Sequence, residues 1–172
     1  MMKNYFLLFS VFFTLFLHAQ TKNVFDISRK GSLDEIKNVF QENPKLINSV
    51  DTNGYTPLIL ACYRGNQDVA LFLAEKVSDI NYNSGMGSAV MAAVMSGNSA
   101  IVAKLIELKA NLNEVDAQGK TALIYATFFN KNEIVKMLIK AGANLNIKDN
   151  DGKSAQDFAT FNKNTELIIL LN

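Results

Sequence analysis

The sequence predicts an all-α solenoid of about five helix–turn–helix repeats with short β-turn fingers, on three observations. A Gly-containing turn motif recurs with a period of 33 residues, a short helix rich in small residues follows each turn, and an amphipathic helix follows that. A helix pair of this kind cannot bury its apolar face alone, so successive units must stack and share one core.

The turn motif reads Asp51-Thr52-Asn53-Gly54-Tyr55-Thr56-Pro57-Leu58, then Asp116-Ala117-Gln118-Gly119-Lys120-Thr121-Ala122-Leu123, then Asp149-Asn150-Asp151-Gly152-Lys153-Ser154-Ala155-Gln156. A degenerate copy starts at Asn83, so the units are spaced by 32, 33 and 33 residues. Repeats are predicted over about 23–50, 51–82, 83–115, 116–148 and 149–172. Thr56, Ser88, Thr121 and Ser154 stand where a hydroxyl caps the next helix, and Pro57 takes the first helical position, where its missing N–H costs nothing.

The first helix of each unit carries Ala61-Cys62, Ala92-Ala93, Ala126 or Ala159 and is predicted to end near Gly65, Gly97, Asn130 or Lys163. Gly and Asn tolerate the left-handed conformation that closes a helix, and Lys163 fits it less well. The second helices place apolar residues three and four apart: Val69, Phe72 and Leu73; Ile101, Leu105 and Leu108; Ile134, Val135, Leu138 and Ile139; Ile168 and Leu171. In the first unit, Phe25, Ile27, Ser28, Gly31, Leu33, Ile36, Val39 and Phe40 follow the same scheme without an opening turn, as a terminal capping unit would. The third unit has Ser84-Gly85-Met86-Gly87 in its turn, and its finger is expected to be the loosest.

Residues 1–19 read as a cleaved secretory signal peptide: Lys3, an apolar run from Tyr5 to Leu17 broken only by Ser10 and Thr14, and Ala19 at the cleavage position. The run is short of the ~18–20 residues of a permanent span. The mature chain, 20–172, is expected to be periplasmic or secreted, an uncleaved N-terminal anchor being the alternative. Cleavage removes Lys3 from the seventeen basic residues, leaving sixteen against sixteen acidic, and removes the single histidine, His18. No Ser-His-Asp or Cys-His pair can then form, and no basic footprint remains for nucleic acid or membrane. With 49% hydrophobic content and one Cys, the chain belongs to neither the disordered nor the disulfide-stapled class.

Several strings imitate chemical motifs and fail on spacing. Gly119-Lys120-Thr121 and Gly152-Lys153-Ser154 resemble the end of a P-loop, but Glu114 and Ile147 replace the upstream glycine. Asp149, Asp151 and Gly152 resemble part of a calcium loop, yet Ile147 and Phe158 occupy its first and last ligand positions. Gly85-x-Gly87 lacks the third glycine of a dinucleotide fingerprint. Cys62 reads as a buried, inert thiol. Met86, Met91 and Met95 have two readings: thioethers filling gaps in a degenerate repeat, or a soft Cu(I) site, which would raise the melting temperature with the metal. No catalytic residue, metal site or cofactor is expected.

The chain resembles the ankyrin repeat family. Gly54, Thr56-Pro57-Leu58, Ala61, Gly65, Val69 and Leu73 match the family pattern, with later echoes in Ile134-Val135, Leu138 and Gly142-Ala143-Asn144, across about 23–172. The family histidine is replaced by Ile59, Met91, Ile124 and Asp157, the last in a capping-box position after Ser154. The resemblance implies a non-catalytic, monomeric module that binds another protein through its concave groove and finger tips. The groove positions it implies are Arg29, Tyr63, Arg64, Met95, Phe128, Phe129 and Phe161, and the finger tips are Asn53, Tyr55, Gln118, Lys120, Asp151 and Lys153. Stacked helices ~8–10 Å apart would align Tyr63, Met95, Phe128 and Phe161 into a stripe ~25–30 Å long. Packing of these side chains against neighbouring repeats is the alternative. Similarity to exported bacterial members implies peroxide-stress protection in support of a catalase; toxin neutralisation as an immunity protein is the alternative, and small-ligand or copper binding a further one.

Overall fold

The computed structural model describes residues 23–172. The expected signal peptide, its cleavage site and His18 lie outside the described residues. Among the described residues ten α-helices follow one another: α1 Val24–Lys30, α2 Leu33–Glu42, α3 Pro57–Arg64, α4 Gln67–Lys76, α5 Ala89–Ser96, α6 Ser99–Glu107, α7 Ala122–Phe128, α8 Asn132–Lys140, α9 Ala155–Phe161 and α10 Thr165–Leu170, with a short 3-10 helix at Pro44–Asn48. They pair in sequence, and the pairs stack into two columns. Odd-numbered helices pack on the next odd-numbered helix, and even on even. The fold is an all-α solenoid; among the described residues no strand forms, and one isolated β-bridge joins Asn83 to Ser88.

Side-chain size explains the stacking. Ala61, Ala93, Ala126 and Ala159 hold one position of the inner helices; all four, and Ser28 in α1, are fully buried. A residue no larger than Ala or Ser lets neighbouring backbones approach, and the Ser28 hydroxyl is satisfied internally by donating to the Val24 carbonyl at 2.8 Å. In the outer column Ile36, Leu73, Leu105, Leu138 and Leu167 are buried completely and fill the space between layers. Ile59, Met91 and Ile124, at the family's histidine position, belong to this core.

Of the four hydroxyl caps expected on the inner helices, three form. Thr56 Oγ1 accepts from the Ile59 amide at 3.3 Å and Thr121 Oγ1 from the Ile124 amide at 3.2 Å. Ser154 and Asp157 form the expected capping box, and Ser32 and Glu35 form another at α2. Ser88 does not cap α5: its hydroxyl is buried and has no hydrogen-bond partner. The tight turn of Gly85 (φ +78°) and Gly87 (φ +127°) enters this helix differently from its counterparts. At the C-termini Gly65, Gly97, Asn130 and Lys163 are all left-handed, Lys163 at φ +55° despite its side chain.

The fingers stack by backbone hydrogen bonds: the Ala117 amide donates to the Gly85 carbonyl at 2.8 Å, and the Asn150 amide to the Gln118 carbonyl at 2.9 Å. The third finger, expected to be loosest, is therefore tied to the fourth, and its own turn closes from the Ser84 amide to the Gly87 carbonyl at 3.3 Å. Opposite the fingers, an asparagine ladder links repeats: Asn48, Asn81 and Asn113 side chains accept from the amides of Ser78, Asn111 and Asn144 at 2.8, 2.7 and 2.8 Å.

Candidate functional site

Three of the four fingers are built around a carboxylate, and the third around Asn83, whose Oδ1 accepts from the Gly85 amide at 3.0 Å. Asp51, Asp116 and Asp149 all accept, through Oδ1, from the amides two and four residues on, at 2.9–3.0 Å. The second oxygen is engaged differently in each. Arg29 Nη2 bonds Asp51 Oδ2 at 3.1 Å, and the Tyr125 hydroxyl donates to Asp116 Oδ2 at 2.6 Å. Lys120 Nζ faces Asp149 Oδ2 at 3.3 Å as an ion pair without hydrogen-bond geometry. Burial works to raise the Asp149 carboxyl, but the Lys153 and Asp151 amides and Lys120 outweigh it and hold it below the ordinary carboxylate range. Burial, then the bond to Asp116, pushes the Tyr125 hydroxyl well above the ordinary phenol range.

These contacts divide the sequence-selected residues. Arg29, which also pairs with Asp26 at 3.5 Å, and Lys120 spend their charges holding fingers to neighbouring repeats. Spacing along the chain gave no sign of either pair, because each partner lies in the next repeat. Asn53, Gln118, Asp151 and Lys153 are exposed at the tips, while Tyr55 is half-buried.

The four aligned positions do reach solvent. Tyr63 is 51% exposed, Met95 37%, Phe128 42% and Phe161 79%, each at or next to the last residue of an inner helix. The structure brings them into two groups. Tyr63, Arg64 and Met95, with Arg29, Asn53 and Tyr55, line a cavity of about 510 Å³ between the fingers and the inner helices, closed on the far side by Gln118, Asp116 and Tyr125. Phe128, Phe129 and Phe161 lie outside it. Phe128 meets Phe129 and Phe158 edge-on at 5.0 and 5.5 Å, and Phe129 stacks on Tyr125 at 6.2 Å. These rings thus combine the two expectations: partly exposed, and partly packed on neighbours.

Met86, Met91 and Met95 share the cavity wall, but Met91 is a core side chain at 2% exposure and only Met86 and Met95 reach solvent. Among the described residues no cluster of three or more His, Cys, Asp or Glu is placed to hold a metal. Cys62 is completely buried, and burial raises its thiol far above the usual range, which disfavours the reactive thiolate. The P-loop-like strings are finger turns followed by capped helices. No helix among the described residues is long and apolar enough to cross a membrane.

Family models for ankyrin repeats match this chain over residues 53–84 (a single repeat) and 90–171 (three copies). Among curated proteins, it is 29% identical over 110 residues to the rat ankyrin repeat and SAM domain-containing protein 6, covering 63% of this chain and 12% of that protein. It is 28% identical over 101 residues to the ankyrin repeat domain-containing protein SAT10 of Stachybotrys chartarum, covering 59% of this chain and 5% of that protein. The matched region thus spans about an eighth or less of these relatives' length. Motif, helix pairing and sequence similarity agree: the chain belongs to the ankyrin repeat family.

Proposed function

We propose that this protein binds another protein through the concave side of its solenoid and performs no chemistry of its own. Ankyrin repeats are protein-interaction modules, and the fold is generally non-catalytic. The observation that carries the assignment of the face is the exposure of Tyr63, Met95, Phe128 and Phe161 at one recurring position of four successive inner helices. Exposed apolar side chains in a row mark interfaces, because each is solvated at a cost that a partner removes.

The signal-peptide pattern of residues 1–19 supports work in the periplasm or outside the cell. Within that setting the role proposed is peroxide protection in support of a catalase, with toxin neutralisation as an immunity protein the alternative. Cross-linking in the exported fraction under mild peroxide stress tests both statements. Wild-type protein is expected to capture one partner; a Tyr63→Ser/Met95→Ser variant and a Phe128→Ser/Phe161→Ser variant, each shown to be folded, locate it. Loss with either variant supports the concave face, by more than about 1.4 kcal/mol or tenfold in affinity. Equal capture by both excludes that face, and capture of a protein other than a catalase excludes the peroxide role.

A further inference from the structure

We propose that the cavity spanned by repeats one to four receives a partner segment in which a carboxylate stands beside an aromatic or aliphatic side chain, the carboxylate seated on Arg64. The inference rests on the reading of the concave side as a protein-binding face and specifies the chemistry that this face selects.

The charged groups of the wall are engaged unequally. Its carboxylates are taken: Asp116 holds two amides and the Tyr125 hydroxyl, and Asp51, behind Arg29, holds two amides and a guanidinium. One cation and several neutral polar groups are open. Arg64, exposed on the last turn of α3, makes no ion pair or side-chain hydrogen bond among the described residues, unlike Arg29. The Tyr63 hydroxyl and the Asn53 side chain likewise have no partner there, and the Ser88 hydroxyl is buried in the wall without one. A guanidinium offers five N–H donors and no acceptor, so the group that completes it is acceptor-only, and a carboxylate takes two of those donors at once.

The rest of the wall specifies the neighbour of that carboxylate. Met86, 66% exposed, and Met95 line the cavity together with Tyr63, and thioethers adapt to an inserted ring or branched side chain better than stiffer residues do. A volume of about 510 Å³ accommodates a few side chains rather than a single ion.

A random peptide library displayed on phage and panned on the full-length chain tests this, followed by affinity measurements on one enriched peptide and on its Asp→Asn or Glu→Gln version. Enriched sequences are expected to pair an acidic residue with Phe, Tyr, Leu, Ile or Met. Arg64→Ala is expected to weaken binding at least about tenfold, Arg64→Lys to retain part of it, and Arg64→Glu to shift selection toward Lys and Arg. Arg64 is exposed, so an unchanged melting temperature is expected to separate these effects from unfolding. Peptides that compete with Tyr63→Ser-sensitive binding but carry no acidic bias, or that ignore Arg64→Ala, overturn the carboxylate assignment while leaving the binding face standing. No enrichment on the folded chain overturns both. Equal binding of free phenylpropanoate and the acidic peptide overturns the peptide occupant in favour of a small acid.

Discussion

Lys163 closes α9 at φ +55°, a conformation that costs an L-residue about 1–2 kcal/mol and glycine almost nothing. Gly65 and Gly97 fill the matching positions in repeats two and three. Lys163→Gly is therefore expected to stabilise the protein by about 0.5–1 kcal/mol after the added freedom of the unfolded chain, read from the urea midpoint. Asp149 supplies a pH dependence. Its carboxyl is held below the ordinary range in the folded chain, so its stabilising contribution is complete above the unfolded value near 3.9 and is lost as pH falls further, through the folded value. Asp157, held down first by the Ser154 amide, acts in the same direction. Urea midpoints are expected to fall below about pH 4, and Asp149→Asn is expected to flatten that fall; an unchanged slope would place the acid-sensitive contacts elsewhere.

At the level of elements, the packing of inner helices depends on a column of small side chains. Ala126 is fully buried in α7, between α5 and α9. Ala126→Leu adds volume where no rotamer can point away, and it is expected to cost about 1–3 kcal/mol by thermal or urea unfolding. The outer helices are joined across repeats by surface ion pairs, half-buried Lys104 to Glu75 at 2.8 Å and exposed Lys136 to Glu166 at 2.7 Å. Each lysine also reaches a glutamate on its own helix. Exposed pairs add little stability in water, and register between outer helices is set by the buried leucines.

Across the whole molecule, a solenoid is held by nearest-neighbour interfaces, so its ends open before its middle. The first repeat is tied to the second through Asn66, whose amide donates to the Ser28 and Gly31 carbonyls at 3.2 and 2.9 Å. Asn66→Ala is expected to accelerate hydrogen exchange in α1 and α2 more than in α7 and α8, with a loss of about 1–2 kcal/mol. Uniform acceleration over all ten helices would mean that the array opens as one unit. The cavity draws on repeats one to four, so fraying at the first repeat is expected to disturb its Arg29 wall before its Tyr125 wall.

Repetition makes the architecture legible in the sequence. The turn motif, the hydroxyl caps at Thr56, Thr121 and Ser154, and the apolar spacing of the second helices are local signals read in the chain's own order. The aligned position shared by Tyr63, Met95, Phe128 and Phe161 was legible for the same reason, since a fixed period places equivalent residues on one face. The partners of Arg29, Lys120 and Tyr125 were not, because stacking, and not chain spacing, brings Asp51, Asp149 and Asp116 to them. Nor could one stripe be told from a cavity and a separate aromatic cluster. That division depends on the packing of Phe128 against Phe129 and Phe158. Periodic sequence determines which residues share a face, whereas the contacts between repeats decide which of them remain free to bind.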